Sequence, residues 1–412
     1  MRLSPLARRN LRRNKRRTLI TAFSVAFGVL LSVTFTASGD YSYTNMIDTS
    51  TAMGLGHLTV EPAGYNDSPS LDKRLVDAEG LEKGLLANPL VTAAHPRIMG
   101  QAMFASGAKN TGGMFIAIDP ARESPDHNLF LRSIEEGELT ADPAARSVVI
   151  GRRMAERLNL RIGKKIVITV TDKDGEMVGE LGRVTGIFRT GDDATDSSLV
   201  LLPIAGIRKT LRYEPGAATL IAISIEDQRR TDQVRRELEL AIGQPGIEVL
   251  SWRQTQADLA GLIAIDRASN YLMQFLVGLL IAAGILNTLL MSVLERTREF
   301  GMMMAIGMSP GQVMRLVLAE SLWIGVLGIV SGIVLTAPWY IYMARVGIDL
   351  GQLVGDDYSA GGVLVDPVLK FRLFRESALA IVVAIFTLTM ASGLYPAWRA
   401  GRITPVESLK VL

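Results

Sequence analysis

The chain has 412 residues, of which 48% are hydrophobic, and a formal net charge of +3. Its mean hydropathy is positive, which is unusual for a soluble protein yet too polar for a bundle of membrane spans alone, so a mixed membrane and soluble architecture follows. Cysteine is absent, which excludes disulfides, thiolate metal sites and a cysteine nucleophile.

The first seventeen residues hold a dense Arg/Lys cluster from Arg2 to Arg17 without one acidic residue. Such a cluster suits nucleic acid or anionic lipid, and the apolar run that follows at once selects the membrane. Ser4-Pro5 reads as a cap with proline at the first helical position, and Leu3, Leu6, Ala7 and Leu11 recur at helical spacing. These features predict a basic amphipathic helix on the inner leaflet over residues 1–17, the alternative being a solvated lead-in.

A span needs roughly 20 apolar residues. Four segments qualify: 18–39, 268–294, 313–343 and 376–396. The first also resembles a secretory signal, but its apolar stretch exceeds the roughly 7–15 residues of one. Lys and Arg in the short flanks set orientation, so the N-terminal cluster, the turn with Arg296 and Arg298, and the tail with Arg399, Arg402 and Lys410 are all expected in the cytoplasm.

Between the first two spans, residues 40–267 read as an extracytoplasmic mixed α/β region large enough for two subdomains. Strands are predicted at His57–Glu61, Met114–Ile118, Lys165–Thr171, Arg183–Phe188, Leu199–Leu202 and Leu220–Ile225. The turn Asp172-Lys173-Asp174-Gly175 makes the third and fourth of these a hairpin. Helices are predicted at Arg152–Leu160, with Met154 and Leu158 on one face, at Thr231–Ile242, and from Trp252 without a break into the second span. The fold class is therefore membrane α-helical, with four transmembrane helices and a large mixed α/β domain inserted between helices 1 and 2.

Chemistry-bearing motifs are missing. The phosphate-cradling pattern G-x-x-x-x-G-K-[ST] is absent, because Gly163-Lys164 is followed by Lys165 and lacks the upstream glycine. His57, His95 and His127 lack metal spacing. Asp192, Asp193 and Asp196 suit either a cation or a solvated acidic loop. No catalytic residue and no metal ligand is assigned. Glu320, near the cytoplasmic end of the third span, is either functional or paired with an Arg of the inner turn.

The stretch 295–312 is charged at its start and apolar at its centre. Ser309-Pro310-Gly311-Gln312 is a capping box with a first-turn proline, so a new helix starts at Pro310. The preceding piece, Arg298–Ile306, is predicted to be a short helix ending at Gly307, exposed and Met-rich, and fit for an adaptable docking surface. Residues 344–375 form an outer loop, and in the tail 397–412 Thr404-Pro405-Val406-Glu407 repeats the capping box.

Glu295-Arg296 through Gly307, Leu394-Tyr395-Pro396-Ala397-Trp398-Arg399-Ala400, Thr404-Pro405-Val406-Glu407-Ser408-Leu409, and the start Leu6-Ala7-Arg8-Arg9-Asn10-Leu11 with Arg16-Arg17 resemble signatures of the FtsX/MacB/LolC–LolE class of ABC transporter permeases. The resemblance implies a permease of the bacterial inner membrane that dimerises with a second copy or a paralogue, giving eight helices. It also implies two copies of a cytoplasmic ATPase, which holds ATP and Mg; this chain is then not an enzyme and needs no cofactor of its own. Coupling to that ATPase falls to Glu295, Arg296, Arg298, Glu299, Met302, Met303, Ile306 and Met308. Membrane lipids and a periplasmic chaperone or adaptor are further implied partners, and nucleic acid is not.

MacB carries its nucleotide-binding domain at the N-terminus, whereas this sequence starts at the basic helix, and the outer region is long for an FtsX-like regulator. Gly56-His57-Leu58-Thr59-Val60, followed by Pro62, Gly64 and Tyr65, is similar to the segment after the first span in LolE-like permeases, which implies release of lipoproteins or lipid-linked cargo. Acyl chains are then expected between the outer halves of the first two spans, at Phe35, Met273, Phe275 and Leu276. A MacB-like mechanotransmitter for efflux of peptides or small molecules and an FtsX-like regulator of a periplasmic enzyme are the alternatives.

Overall fold

The computed structural model describes residues 15–107, 109–125, 127–142, 145–349, 359–360, 363–364 and 368–403. The expected amphipathic helix at 1–17, apart from its last residues, and the capping box at Thr404 lie outside the described residues. The chain divides into two units, residues 1–42, 265–349 and 368–412 against residues 43–264 and 350–367.

Four helices are long and apolar enough to cross a membrane. The first, Lys15–Ser50, outruns its predicted span by about three turns. The second, Ala257–Glu295, does not continue from Trp252 as expected. A separate short helix, Trp252–Thr255, has its own capping box from Ser251 and Gln254, and Gln256 leaves helical geometry after it. A cap that satisfies the first turn of one helix here starts a second only after a break. The third helix is Pro310–Arg345 and the fourth Arg375–Gly401.

The membrane unit is a bundle with a core of Val25, Val29, Ile281, Ile285, Leu289, Ile324, Ile329, Ile381 and Ile385. In lipid there is little hydrophobic drive between helices, so close backbone approach through small residues supplies the packing. Gly328 and Gly332 of the third helix face Val25 and Val29 of the first so closely that an added Cβ would stand 2.5 and 2.7 Å from their Cβ atoms. Two polar side chains of the second helix reach the first: Asn270 Nδ2 donates to the Phe35 carbonyl at 3.4 Å, and Gln274 Nε2 to Thr36 Oγ1 at 3.1 Å.

Among the described residues ten strands of the globular unit join in one hydrogen-bonded system: β1 Leu58–Pro62, β2 Val91–Ser106, β3 Lys109–Ile118, β4 Ile134–Gly137, β5 Ser147–Gly151, β6 Lys165–Thr171, β7 Met177–Phe188, β8 Leu199–Pro203, β9 Leu220–Ile225 and β10 Ile247–Ser251. The first part of β2 joins β9, β1 and β10 in the order β10-β1-β9-β2. With helices Ala78–Leu85 and Thr231–Ile242 this is the β-α-β-β-α-β arrangement of two split βαβ units. The second part of β2 pairs with β3 and β6. Continuing through β8, β5 and β7 back to β6, the pairings close a barrel inserted between β2 and β9.

The predicted hairpin forms with a corrected partner. β6 pairs with the first half of β7, from Thr171 opposite Met177 to Lys165 opposite Arg183. The predicted strand Arg183–Phe188 instead runs parallel to β5, from Ser147 opposite Arg183 to Gly151 opposite Phe188. Met154 and Leu158 are both buried, as their spacing predicts. The three acidic residues of the predicted loop are used within the fold. Asp192 accepts from Thr195 N as the cap of helix Asp193–Ser198, Asp193 pairs with Arg153 at 2.6 Å, and buried Asp196 accepts from Thr190 N and Oγ1.

Glu61 of β1 is buried opposite Glu248 of β10. Desolvation, with smaller contributions from Glu248 and Asp67, pushes its carboxyl up to about 7 against the Asn66 N–H bond. Between its ordinary 4.5 and that value the folded chain keeps a proton the unfolded chain has lost. Stability of this unit should therefore fall as pH rises through that window, by up to about 3 kcal/mol. Thermal unfolding of wild type and Glu61→Gln at pH 5 and pH 7.5 checks this; the pH difference should flatten in the variant.

Candidate functional site

The turn between the second and third helices folds into a helix, Thr297–Ala305, anchored by two buried side chains, Arg296 and Phe300. Arg296 stands at its N-terminal end with its guanidinium over the Phe300 ring, 5.1 Å from the centroid. Nη1 donates to both Glu320 oxygens at 3.0 and 3.2 Å, and Nε donates to Glu299 Oε2 at 2.8 Å. Arg296 and Glu320 side chains are each 8% exposed. The pairing reading of Glu320 thus has a specific partner.

Phe300 enters a core with Val293, Val313, Leu316, Val317, Ala397 and Ala400, so the turn helix is packed against the ends of the second, third and fourth helices. Met303 and Met308 pack on the same core. They bracket the helix end, where Met308 N bonds to Met303 O at 3.0 Å and Gly307 N to Met304 O at 3.0 Å. That pair of bonds is a Schellman ending, which places Gly307 at φ 104°, a conformation that favours glycine. The third helix then starts with the predicted box: Ser309 N donates to Gln312 Oε1 at 2.9 Å and Gln312 N to Ser309 Oγ at 3.4 Å.

The eight residues expected to meet the ATPase divide by direction. Glu295, Arg298, Met302 and Ile306 are exposed, Ile306 at 88%. The last three recur every four residues and form one outward stripe. Arg296, Met303 and Met308 face inward, and Glu299 is half-buried against Arg296. The expectation of a Met-rich exposed surface narrows to a stripe with one methionine, because the helix needs its other apolar face for anchorage.

The four residues expected to face acyl chains are not gathered in this way. Met273, Phe275 and Leu276 are exposed on the second helix and Phe35 is half-buried. The second helix meets the first through Asn270, Gln274 and Ile281. Sequence reasoning passed over Asn270 and Gln274, although two amides four residues apart in an apolar run were the available signal. Among the described residues no group of three or more His, Cys, Asp or Glu is placed to hold a metal.

Four helices long and apolar enough to span, an α/β unit between the first two, and an anchored amphipathic helix between the second and third define a polytopic membrane protein with a large inserted domain. Residues 18–241 match the family model described as MacB-like periplasmic core domain, and residues 271–405 match FtsX-like permease C-terminal. The chain belongs to the FtsX/MacB/LolC–LolE family of ABC transporter permeases.

It is similar to the lipoprotein-releasing system transmembrane protein LolC of Xylella fastidiosa, with 23% identity over 79% of each chain. It is also similar to LolE of Haemophilus influenzae, with 24% identity over 80% of each. A crystal structure of the periplasmic region of MacB from Actinobacillus actinomycetemcomitans covers 50% of this chain and 93% of that chain, at 14% identity and a TM-score of 0.36.

Proposed function

We propose that this chain is a permease subunit that couples ATP hydrolysis on a separate cytoplasmic ATPase to movement of its extracytoplasmic domain, releasing lipoproteins or related lipid-linked cargo from the membrane. The observation that carries the coupling half is the turn helix: an outward stripe of Arg298, Met302 and Ile306 on a helix fixed from behind by Arg296–Glu320. A rigid, partly apolar helix is what a partner can push on, since a load applied to a frayed loop would be absorbed locally. The ATP and its Mg sit in the partner, with two ATPase copies serving a pair of permeases, and the termini and the turn lie in the cytoplasm by the distribution of Lys and Arg.

The cargo half is supported by the names and the long coverage of LolC and LolE. Phe35, Met273, Phe275 and Leu276 remain the proposed acyl-facing residues, in keeping with the exposure of the last three.

The test joins Met302→Asp with Ile306→Asp in the full chain, purified with its native partners. Recovery of the ATPase should fall at least tenfold and cargo release should be lost, whereas Leu240→Asp, at an exposed site of the globular unit, should change neither. Full ATPase recovery with the double variant overturns the coupling role. Intact recovery and turnover without any lipidated protein in the released fraction overturns the cargo.

A further inference from the structure

Within the globular unit a cleft of about 930 Å³ opens beside β1 and the β6–β7 turn. Its apolar floor is Tyr65, Leu71, Met99 and Leu220, of which Tyr65, Leu71 and Leu220 are buried. Tyr65 is fixed there by its hydroxyl, which donates to the Met99 carbonyl at 2.8 Å. A volume near the upper end of the roughly 300–1,000 Å³ typical of ligand sites, an apolar floor and a few convergent polar groups are the marks of a small-molecule pocket.

The charge lining the cleft is predominantly negative. Glu61, Asp72, Asp172 and Asp174 line it against one ammonium, Lys173, which Glu214 holds at 3.7 Å. Asp172 and Asp174 share Arg212, at 3.4 and 3.9 Å, with Glu176 as a third claimant. Glu61 is the group without compensation. It is 2% exposed, one of its oxygens accepts from Asn66 N at 2.9 Å, and among the described residues no cation lies within 4 Å of it. A buried carboxyl without a cation is costly when ionised, and its displacement to about 7 reflects that deficit.

We propose that this cleft is a binding site for an organic cation with an apolar body, of drug or short-peptide size, whose positive group pairs with Glu61 and Asp72 while its body lies on the Tyr65–Leu220 floor. The ligand supplies the counter-charge the fold withholds from Glu61. This goes beyond the proposed release of lipid-linked cargo and does not depend on it.

The test measures fluorescence polarisation of arginine β-naphthylamide with the full chain in nanodiscs, corrected with empty nanodiscs. The uncharged N-acetyl-alanine and anionic N-succinyl-alanine β-naphthylamides serve as comparisons. The cationic probe should bind saturably and at least tenfold more tightly than either. Glu61→Gln should weaken it at least tenfold and Asp72→Asn at least threefold, the latter being an exposed change that leaves the fold intact. Absence of saturable binding, equal binding of the uncharged probe, or unchanged binding in both variants overturns the proposal.

Discussion

Replacing Glu320 by alanine should unseat the turn helix and, under the proposed coupling role, release the ATPase. The substitution leaves the Arg296 guanidinium buried with Glu299 alone. Removing one partner of a buried, hydrogen-bonded pair costs up to about 3–5 kcal/mol where the surviving charge is left uncompensated, and half-buried Glu299 offsets only part of that. That exceeds what the packing of one short helix can absorb, so Arg296 should swing to solvent and draw Phe300 from its core. Limited proteolysis should show new cleavage between Glu295 and Ser309, and ATPase recovery should fall with it.

Replacing both partners, Arg296→Met with Glu320→Leu, should restore most of the protection, since apolar groups of similar volume often substitute for a buried pair at little cost. If the double variant regains protection without regaining ATPase recovery, the pair also has a role in docking. Should Glu320→Ala leave both readouts unchanged, the pair does not anchor the helix.

Gly328→Val should be the most damaging single change in the spans. Its new Cβ would fall 2.5 Å from Val25 Cβ and 2.6 Å from Val25 Cγ1, inside van der Waals contact with branched atoms close to the helix backbone. Overpacking of this kind costs about 1–3 kcal/mol and more where the backbone must move, and four residues on Gly332 faces Val29 under the same constraint. The first and third helices should therefore separate, lowering the thermal midpoint in detergent by several degrees. Val25→Ala should partly rescue Gly328→Ala. Gly284→Ala, where an added Cβ meets nothing within 4 Å, should be neutral.

The spans were legible because a bilayer imposes length and apolarity on a contiguous segment. The end of the turn helix and the start of the third helix were legible because Gly307 and Ser309-Pro310-Gly311-Gln312 act on their own neighbours. Strands such as β6 and β9 announced themselves by alternation and β-branched residues. β2 did not: Val91–Ser106 contains His95, Pro96 and Gly100, and it serves the split βαβ layer with its first part and the barrel with its second. β5, Ser147–Gly151, was missed because it is buried on both faces, so it has no polar alternation.

The resemblance to permeases of this class rested on the turn and tail segments, and the family match extends to both units. In the site, the resemblance pointed to the eight residues of the turn but not to their division. Arg296 and Arg298 are indistinguishable as sequence. Only the packing of Phe300 among Val313, Leu316 and Ala397 rotates the first toward Glu320 and the second toward solvent.

The sequence by itself determined the four spans, the inserted α/β region and the capped helix in the turn, because each depends on interactions within a few residues or on the surrounding phase. The tertiary structure alone decided the barrel inserted between β2 and β9, the partner of Glu320 and the uncompensated charge of Glu61. Each of these depends on a residue brought close from elsewhere in the chain, as Glu248 is to Glu61.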